Sequence, residues 1–197
     1  MALAKQAKVV KRSELTKLLD HVSRSRHPER DRVIVLLSFK AGLRAKEIAE
    51  LTWSMVTDAS GEIADAIALT NVASKGRNGG RTIPLHPDLR PALVALQAAR
   101  GEKVRANLPV VDSERRRGYS ASAIAVWFHT RFAELRIEGA SSHSGRRTFI
   151  TSAAKKIVEV GGSLRDVQEL AGHTSLATTQ RYIQGDSAAK RNVVKLI

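Results

Sequence analysis

The chain lacks both cysteine and long apolar runs. None of its 197 residues is a cysteine, which excludes disulfides, thiolate chemistry and cysteine-bound zinc. No apolar run approaches the roughly 20 residues of a membrane span, and the N-terminal stretch MALAKQAKVVKRSEL has no signal-peptide core. We therefore expect a cytosolic protein with no membrane partner, whose chemistry depends on oxygen and nitrogen groups.

Acidic residues are scarce relative to basic ones. The 19 Asp and Glu residues face 33 Lys and Arg residues, which gives a net charge of +14 and a pI near 10.7. This excess predicts a polyanionic partner, and nucleic acid is the leading one. A ribosomal-type binder or a merely basic protein would show the same balance. A hydrophobic content of 43% at this length predicts one globular domain.

The hydrophobic pattern is mostly helical. Apolar residues recur at helical spacing after Ser13 and after Pro28, and a third helix begins near Arg44. Between residues 66 and 85, short apolar runs flank a glycine-rich loop, which predicts a small sheet. Helical patterns return on both sides of a basic loop at residues 101–119. The fold class predicted is α+β, mainly helical.

His143 and Arg146 are three residues apart at a predicted helix start, where Ser142 or Ser144 would be the cap. Side chains at this spacing share a helix face, so the imidazole and the guanidinium would converge on one anion near the positive helix end. A phosphate fits this description. Taken alone, the pair is equally typical of a solvated basic helix start.

A second segment places a tyrosine beside a histidine. Residues 163–166 form a capping box for a helix that Gly172 would end, which puts His173 in the following turn. Thr174 would cap a further helix that carries Tyr182 near its end. Aromatic residues make up only 4% of the chain, with two tyrosines. A packed aromatic is the structural alternative for Tyr182.

Together these motifs resemble the tyrosine recombinase, or phage integrase, family. The resemblance is carried by HSGRR at residues 143–147, LAGH at residues 170–173, and Tyr182 nine residues beyond that histidine. Upstream, AGLRAKEIAELTW at residues 41–53 is similar to the family's first arginine box, and Lys75 matches the lysine of its β-hairpin. Each motif is weak alone, but five in the right order are strong.

The resemblance implies both a fold and a catalytic set. It predicts a catalytic domain over residues 1–185, with a small three-stranded antiparallel sheet, and a tail helix over residues 186–197. Glu47 would support the first arginine. The implied catalytic residues are two arginines, two histidines, a general-acid lysine and the tyrosine nucleophile: Arg44, Arg146, His143, His173, Lys75 and Tyr182.

This residue set suits phosphoryl transfer with no metal and no cofactor. Two bidentate guanidinia can hold a phosphodiester whose non-bridging oxygens gain charge. Tyr182 must lose its proton to attack, and the surrounding cations would favour the phenolate. The family implies a covalent 3′-phosphotyrosyl link, with Lys75 protonating the 5′-oxygen. Lys75 and Glu47 could also be ordinary surface charges.

Other basic residues are predicted to contact double-stranded DNA, although each could equally lie on a solvated face. They lie in the predicted hairpin, in the basic loop and next to the second catalytic arginine, and they are Arg77, Arg81, Arg115, Arg116, Arg117 and Arg147. The basic arm from Lys5 to Arg12 is predicted to reach the DNA backbone as well.

The sequence departs from the family pattern in a few places. Gly145 stands where a leucine is frequent, and we expect it to weaken the packing of its helix start. Arg147 stands where a second histidine is common, and Ala171 replaces a frequent leucine. Only about ten residues precede the first predicted helix, which predicts a short form without the family's N-terminal clamp domain. A helper protein could supply that clamp.

The tail gives a hypothesis about assembly. A helix over residues 186–197 would carry one apolar face, and it is marginal alone. In the family such a segment docks on a neighbouring protomer and links a homotetramer on synapsed DNA. Docking on its own domain is equally open, as is a monomer without DNA.

Two other functions compete with recombination. A non-catalytic DNA-binding regulator could keep the fold, and residues 41–53 also resemble half of a helix-turn-helix. The full set of catalytic residue types argues against this reading, because a pure binder needs no tyrosine nucleophile. A type IB topoisomerase-like enzyme would use the same chemistry on one duplex. The best reading is a site-specific recombinase that integrates, excises or inverts DNA.

Overall fold

A computed structural model of the chain describes residues 6–71, 73, 80–113, 118–182 and 194. In these residues it has eight α-helices and one small sheet, which confirms the mainly helical α+β class. No helix within them is long and apolar enough to cross a membrane. The helices are α1 Arg12–Ser23, α2 Pro28–Lys40, α3 Ala45–Ala49, α4 Leu89–Arg100, α5 Ala121–Glu134, α6 Ser144–Lys156, α7 Leu164–Ala171 and α8 Leu176–Gln180.

Helix α2 is the centre of the fold. Its residues from Val33 to Phe39 are all buried, including Ser38, so the helix has no solvent face along this stretch. A helix that is apolar all round must be covered on every side, and α1, α4 and α6 provide that cover. The N-terminus of α6, which carries the HSGRR motif, therefore packs against the most deeply buried helix of the fold.

The sheet is a two-stranded antiparallel hairpin of β1 Ala66–Leu69 and β2 Arg81–Pro84, in which Ile67 pairs with Ile83. Both isoleucines face the core. The expected third strand is absent from the residues described. In the described residues upstream of β1, the chain forms two isolated bridges, Thr57 with Ile63 and Thr52 with Pro109, and neither joins the sheet.

The predicted helix boundaries hold best where the cap is local in sequence. Helix α7 begins after Ser163 with the predicted capping box, and Gly172 ends it in the left-handed conformation at φ 60°. Helix α8 begins after Ser175 rather than Thr174. Helix α6 begins after His143, and Ser144 is its first residue. The hydroxyl oxygen of Ser144 accepts from a backbone N–H in the preceding turn instead of capping the helix.

Helix α3 does not support the helix-turn-helix reading of residues 41–53. It has five residues, and Glu47, Ile48 and Ala49 are buried. A recognition helix must expose one face to the major groove. Because α3 is this short and mostly buried, it cannot present a face of that kind to DNA.

Gly145 does not weaken the start of α6, contrary to our expectation. A Cβ at this position would lie 2.2 Å from the Oγ of Ser38 and 2.9 Å from the ring of Phe39. The glycine thus lets α6 pack directly against α2. A leucine, which the family often has here, would require a wider separation of these two helices.

We predict that Gly145→Ala destabilises the fold by about 1–2 kcal/mol, because an overpacking cost of roughly 1–3 kcal/mol exceeds a helix-propensity gain of up to about 1 kcal/mol. Urea unfolding would measure this change. Ser152→Ala, at an exposed position of the same helix, is the control and should stay within about 0.5 kcal/mol of wild type. A Gly145→Ala variant as stable as wild type would show that α2 and α6 have room to separate.

Candidate active site

Segments far apart in sequence meet at one end of α2. They are the loop before α3, strand β2, the N-terminus of α6, the turn between α7 and α8, and the residues just after α8. The described side chains that they bring together are Arg44, Glu47, Arg81, His143, Arg146, Arg147, His173 and Tyr182.

The carboxylate of Glu47 lies at the centre of this cluster, with its side chain only 1% exposed. Its Oε1 accepts from Nη1 of Arg44 at 2.8 Å, and its Oε2 accepts from the backbone N–H of Arg44 at 2.8 Å. Arg81 binds the same two oxygens through Nη1 and Nη2, at 2.8 and 3.1 Å. Glu47 therefore holds two guanidinia in fixed positions, as a bidentate geometry allows.

These two arginines keep the carboxylate of Glu47 ionised. Burial alone would raise its pKa, but the hydrogen bonds and positive charges of Arg81 and Arg44 outweigh burial and lower the pKa to about 2. The carboxylate is thus ionised throughout the physiological range.

Arg81 was predicted to contact DNA, but the structure places it in the interior with its side chain 7% exposed. Besides its two bonds to Glu47, its Nε donates to the carbonyl of Leu170 at 3.0 Å. A Cβ on Gly172 would lie 2.9 Å from the Cδ of Arg81. The guanidinium therefore joins β2 to the LAGH turn, and its donors face protein groups rather than a ligand.

Arg146 links two further motifs. Its Nη1 donates to the carbonyl of Gly42 at 2.7 Å and its Nη2 to the carbonyl of Ala171 at 2.5 Å. Burial and the nearby charge of Arg44 lower its pKa to about 10, so it remains a cation at neutral pH. The arginine box, the HSGRR helix and the LAGH turn are consequently tied to one side chain.

A cleft of about 540 Å³ opens above these arginines. His143 is exposed at its edge, as the N-cap residue of α6. Four arginines, one histidine and one tyrosine line the cleft, and the described residues of its lining include no carboxylate. The lining residues are Gln6, Ala7, Arg44, Gly139, Ser141, His143, Arg146, Arg147, Thr178, Arg181 and Tyr182. This chemistry suits an anion.

Arg147 lies deeper than a surface DNA contact would. The residue is 8% exposed, and its Nε is buried without a hydrogen-bond partner. Its guanidinium carbon lies 6.0 Å from the centroid of the Tyr182 ring, and the parts of the chain that are described provide no carboxylate partner for it. A buried cation without a counter-ion is costly, so this position also favours an incoming anion.

His173 and Tyr182 stack on each other, with ring centroids 5.3 Å apart and planes inclined by 26°. His173 is buried, and its Nδ1 is 2.9 Å from the Oγ1 of Thr179. Burial, followed by the positive charges of Arg146 and Arg44, lowers the pKa of His173 to about 4. The ring is therefore neutral at physiological pH.

Tyr182 is held against its own domain. Its backbone carbonyl accepts from the hydroxyl of Thr151 at 3.2 Å, and the ring is half-buried against a small apolar cluster that includes Ile150 and Val167. Our sequence reasoning missed Thr151 and Thr179. Both occur in segments that we had analysed only for helix caps, and a threonine in a helix gives no local sign of its tertiary partner.

Several predicted site residues lie outside the described residues, as does all of the predicted tail helix except Val194. The predicted general acid is among them. The residues concerned are Lys75, Arg77, Arg115, Arg116 and Arg117.

Comparison with known proteins identifies the family. The model of the phage integrase family matches residues 8–188 of this chain. The chain belongs to the phage integrase family. It is 30% identical over 178 residues to tyrosine recombinase XerA of Thermococcus kodakarensis, an alignment that covers 89% of this chain and 57% of that relative.

Solved structures of the integrase fold agree with this assignment. The crystal structure of XerA recombinase superimposes with a TM-score of 0.73 at 22% identity, over 100% of this chain and 65% of that one. A Tn1549 transposon integrase in complex with circular intermediate DNA gives a TM-score of 0.76 at 16% identity, over 100% of this chain and 68% of that one. The chain spans a little over half the length of the curated XerA relative, at 57%.

We predict a pH-dependent stability contribution from Glu47. Its pKa is lowered from 4.5 to about 2 on folding, so the stabilisation is complete above pH 4.5 and is lost as the pH falls towards 2. The shift corresponds to about 3 kcal/mol. The stability difference between wild type and Glu47→Gln should therefore shrink by about 2 kcal/mol between about pH 6 and about pH 3, as measured by urea unfolding.

The matched control is Glu50→Gln, at a neighbouring glutamate whose side chain is 40% exposed. It should show a small difference from wild type, of at most about 1 kcal/mol. A constant difference between wild type and Glu47→Gln across this pH range would contradict the buried ion pairs.

Proposed function

We propose that this chain is the catalytic domain of a site-specific DNA recombinase, which cleaves and rejoins DNA through a covalent 3′-phosphotyrosyl intermediate. The observation that carries the proposal is a cleft where Tyr182 meets four arginines and a histidine, with no carboxylate among the described residues that line it. The family assignment supports it, as do relatives named tyrosine recombinases.

The scissile phosphate would bind between Arg44 and Arg146. Arg44 is 29% exposed and binds Glu47 through a single terminal nitrogen of its guanidinium, which leaves donors for a ligand. Arg146 is fixed by two backbone carbonyls. Donors that are already fixed stabilise the charge that develops on the phosphate without a cost of reorganisation at the moment of reaction.

Tyr182 would attack the phosphorus after losing its proton. The new bond joins its phenolic oxygen to phosphorus, and the bond from phosphorus to the 5′-oxygen breaks. Lys75 is proposed to protonate that leaving oxygen. Because the phosphotyrosyl bond preserves the phosphodiester energy, a second 5′-hydroxyl can reverse the step and join a new strand. His143 and His173 would donate hydrogen bonds to the phosphate.

Double-stranded DNA is the proposed partner, and it would supply the anion that Arg147 lacks within the described residues. The Tn1549 transposon integrase of similar fold was solved with circular intermediate DNA. We propose that the reaction takes place in the cytosol or nucleoid of a prokaryotic cell. We further propose a homotetramer on synapsed DNA, with residues 186–197 docking on a neighbouring protomer and a clamp supplied by a helper protein.

We predict that the wild-type protein forms a denaturation-resistant adduct with a nicked duplex that carries its recombination site, because the nick releases the short leaving strand and traps the intermediate. Tyr182→Phe should abolish the adduct while DNA affinity stays within about twofold. Denaturing gel electrophoresis with labelled DNA measures the adduct, and a native gel shift measures the affinity. Tyr119→Phe, which changes the only other tyrosine, is the control and should retain the adduct.

An adduct that persists in Tyr182→Phe would show that Tyr182 is not the nucleophile. Tight DNA binding without an adduct from wild type on its native site would favour a non-catalytic DNA-binding regulator instead.

A second prediction concerns Lys75. If it protonates the 5′-oxygen, Lys75→Ala should slow cleavage by about 10²–10⁴-fold, the usual contribution of a general acid. A substrate with sulfur at the 5′-bridging position should restore the rate, since a thiolate leaves without a proton. Arg44→Ala is the control and should stay slow on both substrates. If the sulfur substrate failed to rescue Lys75→Ala, Lys75 would not be the general acid.

A further inference from the structure

Among the described residues, Thr179 makes the side-chain hydrogen bond of the His173 ring, in addition to the stacking of Tyr182 on that ring. Its Oγ1 lies 2.9 Å from Nδ1 of His173, and both residues are buried. The backbone around the histidine is fixed separately, since the Gln168 side chain donates to the His173 carbonyl at 2.9 Å. The Thr179 hydroxyl therefore contacts the imidazole ring, and the Gln168 side chain separately holds the main chain of His173.

The direction of this hydrogen bond follows from the surroundings of the hydroxyl. Thr179 is 0% exposed, so its hydroxyl hydrogen needs a protein acceptor. Other helical threonines here, such as Thr16 and Thr130, donate to the carbonyl four residues earlier. Thr179 has no such bond, and within the described part of the chain its only acceptor is Nδ1 of His173.

The protonation pattern of the ring follows from that direction. A hydroxyl can donate to Nδ1 only if this nitrogen carries no proton. A neutral imidazole has a single proton, which must then be on Nε2. Among the described residues, Nε2 has no hydrogen-bond partner of its own.

We propose that Thr179 is a positioning residue, which fixes His173 as the Nε2–H tautomer and so presents one hydrogen-bond donor to the scissile phosphate. This inference rests on the function proposed above. The opposite tautomer would present a lone pair to the phosphate, which would repel its oxygens. Thr179 therefore decides whether His173 stabilises the transition state.

Burial and the charges around His173 both disfavour a second proton on its ring. Burial has the largest effect on the pKa, the cations Arg146, Arg44 and Arg81 lower it further, and Glu47 opposes them. The stacked Tyr182 ring covers one face of the imidazole. With no second proton available, the position of the first one determines what the ring can do.

Thr179 also contacts the nucleophile segment, because its backbone carbonyl accepts from the N–H of Tyr182 at 3.0 Å. A substitution of the side chain leaves this backbone bond in place. Thr179→Val removes the hydroxyl but keeps the branched shape, and Thr179→Ser keeps the hydroxyl. The pair of variants therefore separates the hydrogen bond from the packing.

The first test is ¹⁵N NMR of the histidine side chains of the full chain without DNA. His173 is assigned as the signal lost in His173→Asn. In wild type and Thr179→Ser we expect the Nε2–H tautomer, with Nδ1 shifted far downfield as an unprotonated nitrogen. In Thr179→Val the two shifts should move towards each other, as the Nδ1–H form becomes populated. A wild-type Nδ1–H ring, or Thr179→Val shifts identical to wild type, would overturn the proposal.

The second test is cleavage of the nicked duplex. Thr179→Val should cleave about tenfold more slowly, with DNA affinity close to wild type, and Thr179→Ser should stay within about twofold of the wild-type rate. Equal losses in both variants, or no loss in Thr179→Val, would contradict the positioning role. An absence of cleavage by wild type would overturn the recombinase proposal. The NMR experiment needs no DNA, so it would still determine the tautomer of His173.

Discussion

The end of the molecule that holds the candidate active site depends on one buried carboxylate. Glu47 is almost fully buried, and it binds Arg44 and Arg81 through four hydrogen bonds. Burying a charge costs several kcal/mol unless its partners are close and well oriented. Here the partners come from the loop before α3 and from β2, so the electrostatic requirement of Glu47 fixes the position of both segments relative to the core.

The remaining segments join this centre through arginine and backbone carbonyl groups. Arg81 binds the carbonyl of Leu170 and Arg146 binds that of Ala171, so the LAGH turn is held on both sides. Three guanidinia stand around one carboxylate, which leaves an excess of positive charge. Burial, and then the positive charge of the neighbouring arginines, lowers the pKa of Arg146 and of His173. An anion in the cleft relieves this repulsion, which is why the arrangement suits a phosphate.

The sequence predicted those elements whose ends are set by capping residues close to them in the chain. The capping box at Ser163 and the left-handed Gly172 delimit α7 as expected, and the resemblance of the motifs to the integrase family pointed to the segments that carry Arg44, Arg146, His173 and Tyr182. Gly145 was misjudged, because the residues it approaches on α2 are more than a hundred positions away in sequence. A glycine that permits close helix packing and one that weakens a helix look the same in a single sequence.

The environment of a charged residue was equally hard to predict from the sequence, as Arg81 shows. In the sequence it is one more basic residue of a glycine-rich hairpin, and such residues usually face solvent or DNA. Only the fold reveals that a buried glutamate lies opposite it. The orientation of His173 by Thr179 is a similar case, since six residues separate the partners and a turn brings them together. Polar contacts between elements were the part that the sequence could not specify.

The most direct test of this account is a double-mutant cycle between Glu47 and Arg81. The free energy of unfolding of Glu47→Gln, Arg81→Gln and the double variant would be measured in urea at neutral pH. Each single change leaves a buried partner unpaired, so the double variant should be more stable than the sum of the single losses predicts, by at least about 1.5 kcal/mol. Losses that add within about 0.5 kcal/mol would show that the pair does not organise the site.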